Sequence, residues 1–177
     1  MLKRRSMLLG SLAALALSPL AASANPWAPR KLAGWELSDL TAFSHKLVNQ
    51  FPEIRNKTAI IDDHIRVRLE EDALYKPGTA ELSVDGVRLL TLIAERMKTS
   101  KIRMEAVGHH HSDGQSYRSF IISERRATAV VAAMASRKIE KERLLATGLG
   151  ENFPIASNLT ETGRRANRRT ELLFRLL

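Results

Sequence analysis

The sequence predicts an α/β (α+β) chain folded as a two-layer sandwich, with helices on one face of a mixed β-sheet. Three observations carry this. Lys101–Val107 alternates, with Ile102, Met104 and Ala106 on one face and Lys101, Arg103 and Glu105 on the other. That period of two is the mark of a half-buried strand. From about Tyr117 the period becomes helical, and Ala127, Val130, Val131 and Met134 recur along one stripe. The elements also run strand, helix, strand, helix, strand, strand (βαβαβ-β), an order that lays helices over one side of a sheet.

At the N-terminus, Lys3, Arg4 and Arg5 precede an uncharged apolar run, Met7–Leu20, and Ala22–Ser23–Ala24 stands before Asn25. This is the pattern of an export signal with an A-x-A cleavage site, so residues 1–24 predict a signal peptide. The alternative is a retained helix, but a membrane span takes about 20 apolar residues and this run is shorter. Arg4–Arg5–Ser6–Met7–Leu8 also resembles a twin-arginine signal, with Lys3 where serine or threonine is usual.

The chain carries 28 basic and 19 acidic residues; the signal holds three of the basic and none of the acidic, which leaves a net +6 after cleavage. A basic surface suits anionic polymers in general. Export and the lack of an aromatic stacking platform argue against nucleic acid. No cysteine is present, which excludes disulfides and lipidation at the cleavage site. With no second long apolar run, and no room for a β-barrel before the domain, the expected product is periplasmic, soluble or wall-associated, with no integral span after cleavage.

Asn25–Gly34, with two prolines and a glycine, reads as a leader. Ser38 is the expected cap of a helix whose stripe is Leu40, Phe43, Leu47 and Phe51, ended by Pro52. Its stripe packs on the domain or is offered to a partner. Thr58–Ile61 and Ile65–Leu69 are short strands flanking Asp62–Asp63, a hairpin signal. The division is thus 1–24 signal, 25–63 leader, helix and short strand, and 64–177 domain. Ser83 caps a helix with Val87, Leu90, Ile93 and Met97 facing the core. Arg143–Thr147 is a strand, Ser157–Gly163 a polar loop, and Arg169–Leu176 the last strand.

Between strand and long helix lies the stretch with the most chemistry, Gly108–His109–His110–His111–Ser112–Asp113–Gly114. Glycines and short polar residues mark it as a turn. Ile122 and Arg126, four residues apart, share a helix face that looks back at it. A guanidinium there is placed to grip a carboxylate.

Gly108–His109, Gly114, Ser123–Glu124–Arg125–Arg126–Ala127, Gly148–Leu149–Gly150–Glu151 with Pro154, and Asn167–Arg168–Arg169 resemble, in order and spacing, the OmpA-like (OmpA/MotB C-terminal-like) peptidoglycan-binding domain. The resemblance runs from about Ile65 to the C-terminus. It implies a non-catalytic domain of Gram-negative envelope proteins that holds the diaminopimelate of the peptidoglycan stem between an aspartate and an arginine. The arginine falls on Arg126. The aspartate position is occupied by His111, the preceding threonine by His110, and a family asparagine by Ser119. Lys76 stands where the family usually has an acid. Histidine is mostly uncharged at neutral pH and does not replace a carboxylate opposite an ammonium. Asp113 is the nearby acid that supplies the charge if the turn bends differently.

The expected ligand-binding residues are therefore Arg126, His111, Asp113, His109, Ser119 and Ile122, with peptidoglycan as the partner and no cofactor. Ser112 beside His111 and Asp113 is not a triad, which three-dimensional geometry assembles rather than adjacency, and no nucleophile or acid–base pair points to an enzyme. Two alternatives stay open. One is an interaction module for other envelope proteins, with the fold retained and the glycan site degenerate. The other is metal-responsive binding through the His109–His111 turn, since imidazole and carboxylate suit zinc or nickel.

Overall fold

The computed structural model describes residues 31–177; the signal reading and the leader up to Arg30 lie outside them. Five strands form one sheet: β1 (Thr58–Ile61), β2 (His64–Glu70), β3 (Ile102–Gly108), β4 (Leu144–Gly148) and β5 (Arg169–Leu176). Their order is β1-β2-β5-β3-β4, with β3 and β4 parallel and every other pair antiparallel. The C-terminal strand therefore inserts at the centre. Five α-helices, α1 (Gly34–Gln50), α2 (Glu71–Leu74), α3 (Val84–Lys98), α4 (Ser116–Ser136) and α5 (Glu161–Asn167), and two 3-10 helices, Pro52–Lys57 and Lys141–Arg143, complete the described fold.

Alternation decides what each sheet face buries. Phe174 lies between Ile65 and Met104, and Leu172 between Val67 and Ala106, all buried in one core. Leu90, Ile93, Ala94 and Met97 of α3 and Ala127, Val130 and Met134 of α4 close that core from above. Each fully buried leucine, isoleucine or phenylalanine contributes about 1.5–3 kcal/mol of transfer free energy, set against chain entropy. The opposite sheet face is charged. Arg175 reaches Glu105 at 3.2 Å and Asp63 at 3.5 Å, while Glu171 takes Arg169 at 2.8 Å and Arg68 at 3.4 Å. Pairing is what lets these groups lie half or fully buried.

Most predicted elements lie within a residue or two of their expected bounds; the departures have local causes. Helix α1 begins at Gly34 rather than after Ser38, because the Glu36 carboxylate accepts the Ala33 N–H at 2.7 Å and caps the earlier turn. Its stripe, Leu40, Phe43, Leu47 and Phe51, is buried, and the Phe43 and Phe174 rings sit 5.5 Å apart. The helix thus closes the core, and β1 is hydrogen-bonded to β2. The 63/64 division falls inside that hairpin, with one core running across it. Ser83 caps α3 by accepting the Gly86 N–H at 2.9 Å, as expected, but Val87 faces outward at 39% exposure. Residues 157–163, expected to be loop, lead into α5, which Thr160 caps by accepting the Gly163 N–H at 3.1 Å.

Candidate functional site

The site is built where α4 crosses the ends of β3 and β4. A Cβ on Gly108 would lie 2.1 Å from the Ser123 carbonyl oxygen, and one on Gly148 would lie 2.6 Å from the Glu124 nitrogen. Only glycine lets the helix backbone rest directly on the strand ends. Ser123 and Glu124 reinforce the contact, their side chains accepting the N–H groups of Gly150 at 2.9 Å and Gly148 at 2.6 Å. Glu124 is thereby committed to β4 and leaves Arg126 to another partner.

That partner is Glu71. The Arg126 guanidinium donates through Nη2 to Glu71 Oε1 and through Nε to the Thr79 carbonyl at 3.1 Å, and it lies 5.4 Å from the centre of the Tyr75 ring. Tyr75 is itself buried, which pushes its phenol up to about 12. Its hydroxyl lies 3.0 Å from both the Arg126 carbonyl, to which it donates, and Thr170 Oγ1. Arg126 is 2% exposed, and its Nη1 has no hydrogen-bond partner among the described residues. Buried arginine nitrogens rarely go unused.

Arg126 lines a cavity of about 630 Å³. Ile122 stands one helical turn before it, and the 110–113 turn, with His110, His111 and Asp113, forms one wall. Pro77 and Gly78 form another, with Glu71 and Asp72 at the end of β2 and Glu161, Arg165 and Arg168 around α5. Arg118 completes the rim. Four arginines thus face four carboxylates. Burial depresses His110 and His111, so neither adds charge at neutral pH. The Gln115 N–H, donated at 3.0 Å, holds the exposed Asp113 carboxyl below the usual carboxylate range, so it is anionic there. The cavity is charge-balanced, with Glu71 shared by Arg126 and Arg168, Glu161 on Arg168 and Asp72 on Arg165.

Arg126, His111, Asp113 and Ile122 are therefore brought together as the sequence suggests. His109 and Ser119 are not on the cavity wall. The His109 ring is 3% exposed among Arg169, Glu171 and Arg68; burial first, then the Arg169 guanidinium, lowers its pKa to about 4. Ser119 is fully buried and braces the turn, its hydroxyl donating to the His111 carbonyl at 3.3 Å. The three histidines do not converge as metal ligands: His110 and His111 stack with ring centres 4.4 Å apart, and His109 lies in the charged cluster just described. Among the described residues no group of three His, Asp or Glu side chains is placed to hold an ion.

Sequence reasoning missed Glu71, Arg168 and the 76–79 loop. The signals were the acidic run Glu70–Glu71–Asp72 at a strand end and the arginine inside Asn167–Arg168–Arg169. Neither says what the side chains face. The turn is also held by segments distant in sequence: His110 N–H donates to the Gly150 carbonyl at 2.7 Å and Ser112 N–H to Asn158 Oδ1 at 3.2 Å.

Comparison with known proteins agrees with this architecture. The chain is 33% identical over 108 residues to outer membrane protein A of Bordetella avium, covering 60% of this chain and 56% of that one. Among solved structures it resembles a MotB-like protein from Desulfovibrio vulgaris (TM-score 0.69, 22% identity, 81% of this chain and 98% of the other). It also resembles the peptidoglycan-associated lipoprotein of Burkholderia pseudomallei (TM-score 0.54, 20% identity, 61% and 89%). The chain spans about half the length of the curated relatives it matches. The sequence profile described as OmpA family matches residues 74–168, more than half of the chain and nearly every wall of the cavity, and the chain belongs to that family.

Proposed function

We propose that this chain is a non-catalytic, exported module that binds the diaminopimelate-containing peptide stem of peptidoglycan in the periplasm. Arg126 takes a stem carboxylate, and Asp113 takes the ammonium in place of the acid that His111 has displaced. The observation that supports this most directly is the Arg126 guanidinium: anchored by Glu71 and Thr79, it keeps one buried nitrogen without a partner, and Arg126 lines a charge-balanced cavity. A carboxylate there would make a charge-assisted bond of about 1.5–3 kcal/mol. Among the described residues no helix is long and apolar enough to cross a membrane. The similar Burkholderia protein is a peptidoglycan-associated lipoprotein, in keeping with such a ligand.

The test is co-sedimentation of the mature protein with purified, diaminopimelate-containing sacculi. Wild type should sediment, and Arg126→Ala should bind about tenfold more weakly or worse while keeping its circular dichroism spectrum. Equal sedimentation of both folded proteins would remove Arg126 from the site. Two features favour a second reading, an interaction module with a degenerate glycan site: His111 leaves the turn one acid short, and Lys76, in the place of another family acid, is tied to Glu81 at 2.7 Å. A wild type that ignores sacculi would favour that reading.

A further inference from the structure

We infer that Glu71 is a positioning residue for the carboxylate half of this site. It fixes Arg126 so that the Nη1 edge is offered to ligand, and it stays in place when ligand binds. The inference rests on the reading of the cavity as a stem-peptide site and goes beyond it, because Glu71 belongs to none of the motifs that carry the family resemblance.

The geometry is that of one carboxylate shared by two guanidinium groups. Glu71 Oε1 accepts from Arg126 Nη2, and Oε2 lies 3.1 Å from Arg168 Nε. Arg168 is closed on its other side by Glu161, at 2.8 Å from Nη2. With Arg126 Nε on the Thr79 carbonyl at 3.1 Å, Nη1 is left as the buried donor without a partner. A planar fork held on two of its three nitrogens has its third aimed in advance, so less order is lost on binding.

The same contact admits an opposite reading, in which Glu71 is an internal competitor that swings out to make way for the ligand carboxylate. Three features oppose it. Glu71 opens α2, and its backbone N–H donates to the Arg168 carbonyl at 3.0 Å, so its root is fixed. Its side chain is 14% exposed. Leaving would strand Arg126 and uncouple Arg168 at once, whereas a ligand at Nη1 needs no exchange.

The experiment is Glu71→Gln, titrated calorimetrically with two synthetic stem peptides. One carries diaminopimelate, and the other carries lysine, which keeps the side-chain ammonium and lacks the adjoining carboxylate. Wild type should prefer the diaminopimelate peptide by about tenfold or more. In Glu71→Gln that preference should fall to about threefold or less, with affinity for the lysine peptide changed by about twofold at most. A purely structural weakening would lower both affinities together and overturn the assignment, as would a preference kept at the wild-type level. Tighter binding of the diaminopimelate peptide would show a competitor instead. Glu71→Asp, which keeps the charge on a shorter stem, should fold and show an intermediate preference; full wild-type preference there would also count against positioning.

A wild type that binds neither peptide defeats the stem-peptide reading, and a ligand-free measurement then decides the role of Glu71. Hydrogen exchange at Arg126 Nε, followed by nuclear magnetic resonance, should be about tenfold faster or more in Glu71→Gln than in wild type. Unchanged exchange would show that Glu71 does not hold the guanidinium.

Discussion

Asn167 Nδ2 donates to Asn158 Oδ1 at 2.8 Å, and the same oxygen accepts the Ser112 N–H at 3.2 Å. The end of α5 is thereby tied to the turn that walls the cavity. Asn167 is fully buried and also accepts the N–H groups of Ile155 and Ala156, at 2.9 and 3.1 Å, while donating to the Ala156 carbonyl at 2.8 Å. One side chain thus satisfies three backbone groups of a loop that has no sheet or helix to do so. Asn167→Ala should lower stability by about 2–4 kcal/mol in urea unfolding, since those groups lose their partners together. Limited proteolysis should move to residues 152–158. Unchanged cleavage there would show the loop is held by other contacts.

The buried stripe of α1 makes the segment before β2 part of the core. Phe43→Ala should cost about 3–4 kcal/mol, because it removes the ring that meets Phe174 and leaves a cavity. Chemical denaturation of wild type and mutant measures this. A change below about 1 kcal/mol would mean that α1 docks loosely and is available to a partner.

His109 sets a pH dependence. Its folded-state pKa is depressed to about 4 from an ordinary value of 6.5, by burial and then by Arg169, with Glu171, the Asn152 backbone and Arg68 also around it. Because the folded pKa is the lower one, the unfolded chain takes up the proton first. The stability present above pH 6.5 is therefore lost as pH falls from 6.5 towards 4. The difference in melting temperature between wild type and His109→Asn should be constant above that window and change within it. Parallel curves down to pH 4 would show that His109 is not the group responsible.

His111 and Asp113 separate two ways of meeting an ammonium. With Asp113 exposed, anionic and on the cavity wall, Asp113→Asn should weaken binding of the diaminopimelate peptide by about tenfold. His111→Asp should then gain about threefold or less, since two nearby carboxylates repel. A large gain from His111→Asp, abolished when the ligand amine is acetylated, would place the acid at 111 instead.

Export is a prediction from residues outside the described part of the chain. The mature protein should begin at Asn25 and occur in the periplasmic fraction, as N-terminal sequencing would establish. If the twin-arginine pattern operates, replacing Arg4 and Arg5 with lysine should block export where the general secretory route is intact.

Local pattern is enough for whatever depends on neighbours along the chain. The alternation of Lys101–Val107, the helical stripe through Ala127, Val130 and Met134, and the Ser83 cap are local patterns with local causes; strand, stripe and cap are all found, but the strand expected to be half-buried is buried on both faces, Arg103 and Val107 included. Order and spacing likewise placed Arg126 on the helix face beside the 110–113 turn. Tertiary structure decided everything that depends on which segments meet. Alternation left β5 without a position in the sheet; its register between β2 and β3 put it at the centre and buried its charged side as well. The helical period could not show that Arg126 would meet Glu71, 55 residues away, or that His109 would sit among Arg169, Glu171 and Arg68 while His111 lined the cavity. A turn's residue types set how the chain bends, but the direction of each side chain is set by what packs against it. In this protein the packing is done by α2, α5 and the 76–79 loop, segments whose short or polar sequences carry little periodicity of their own.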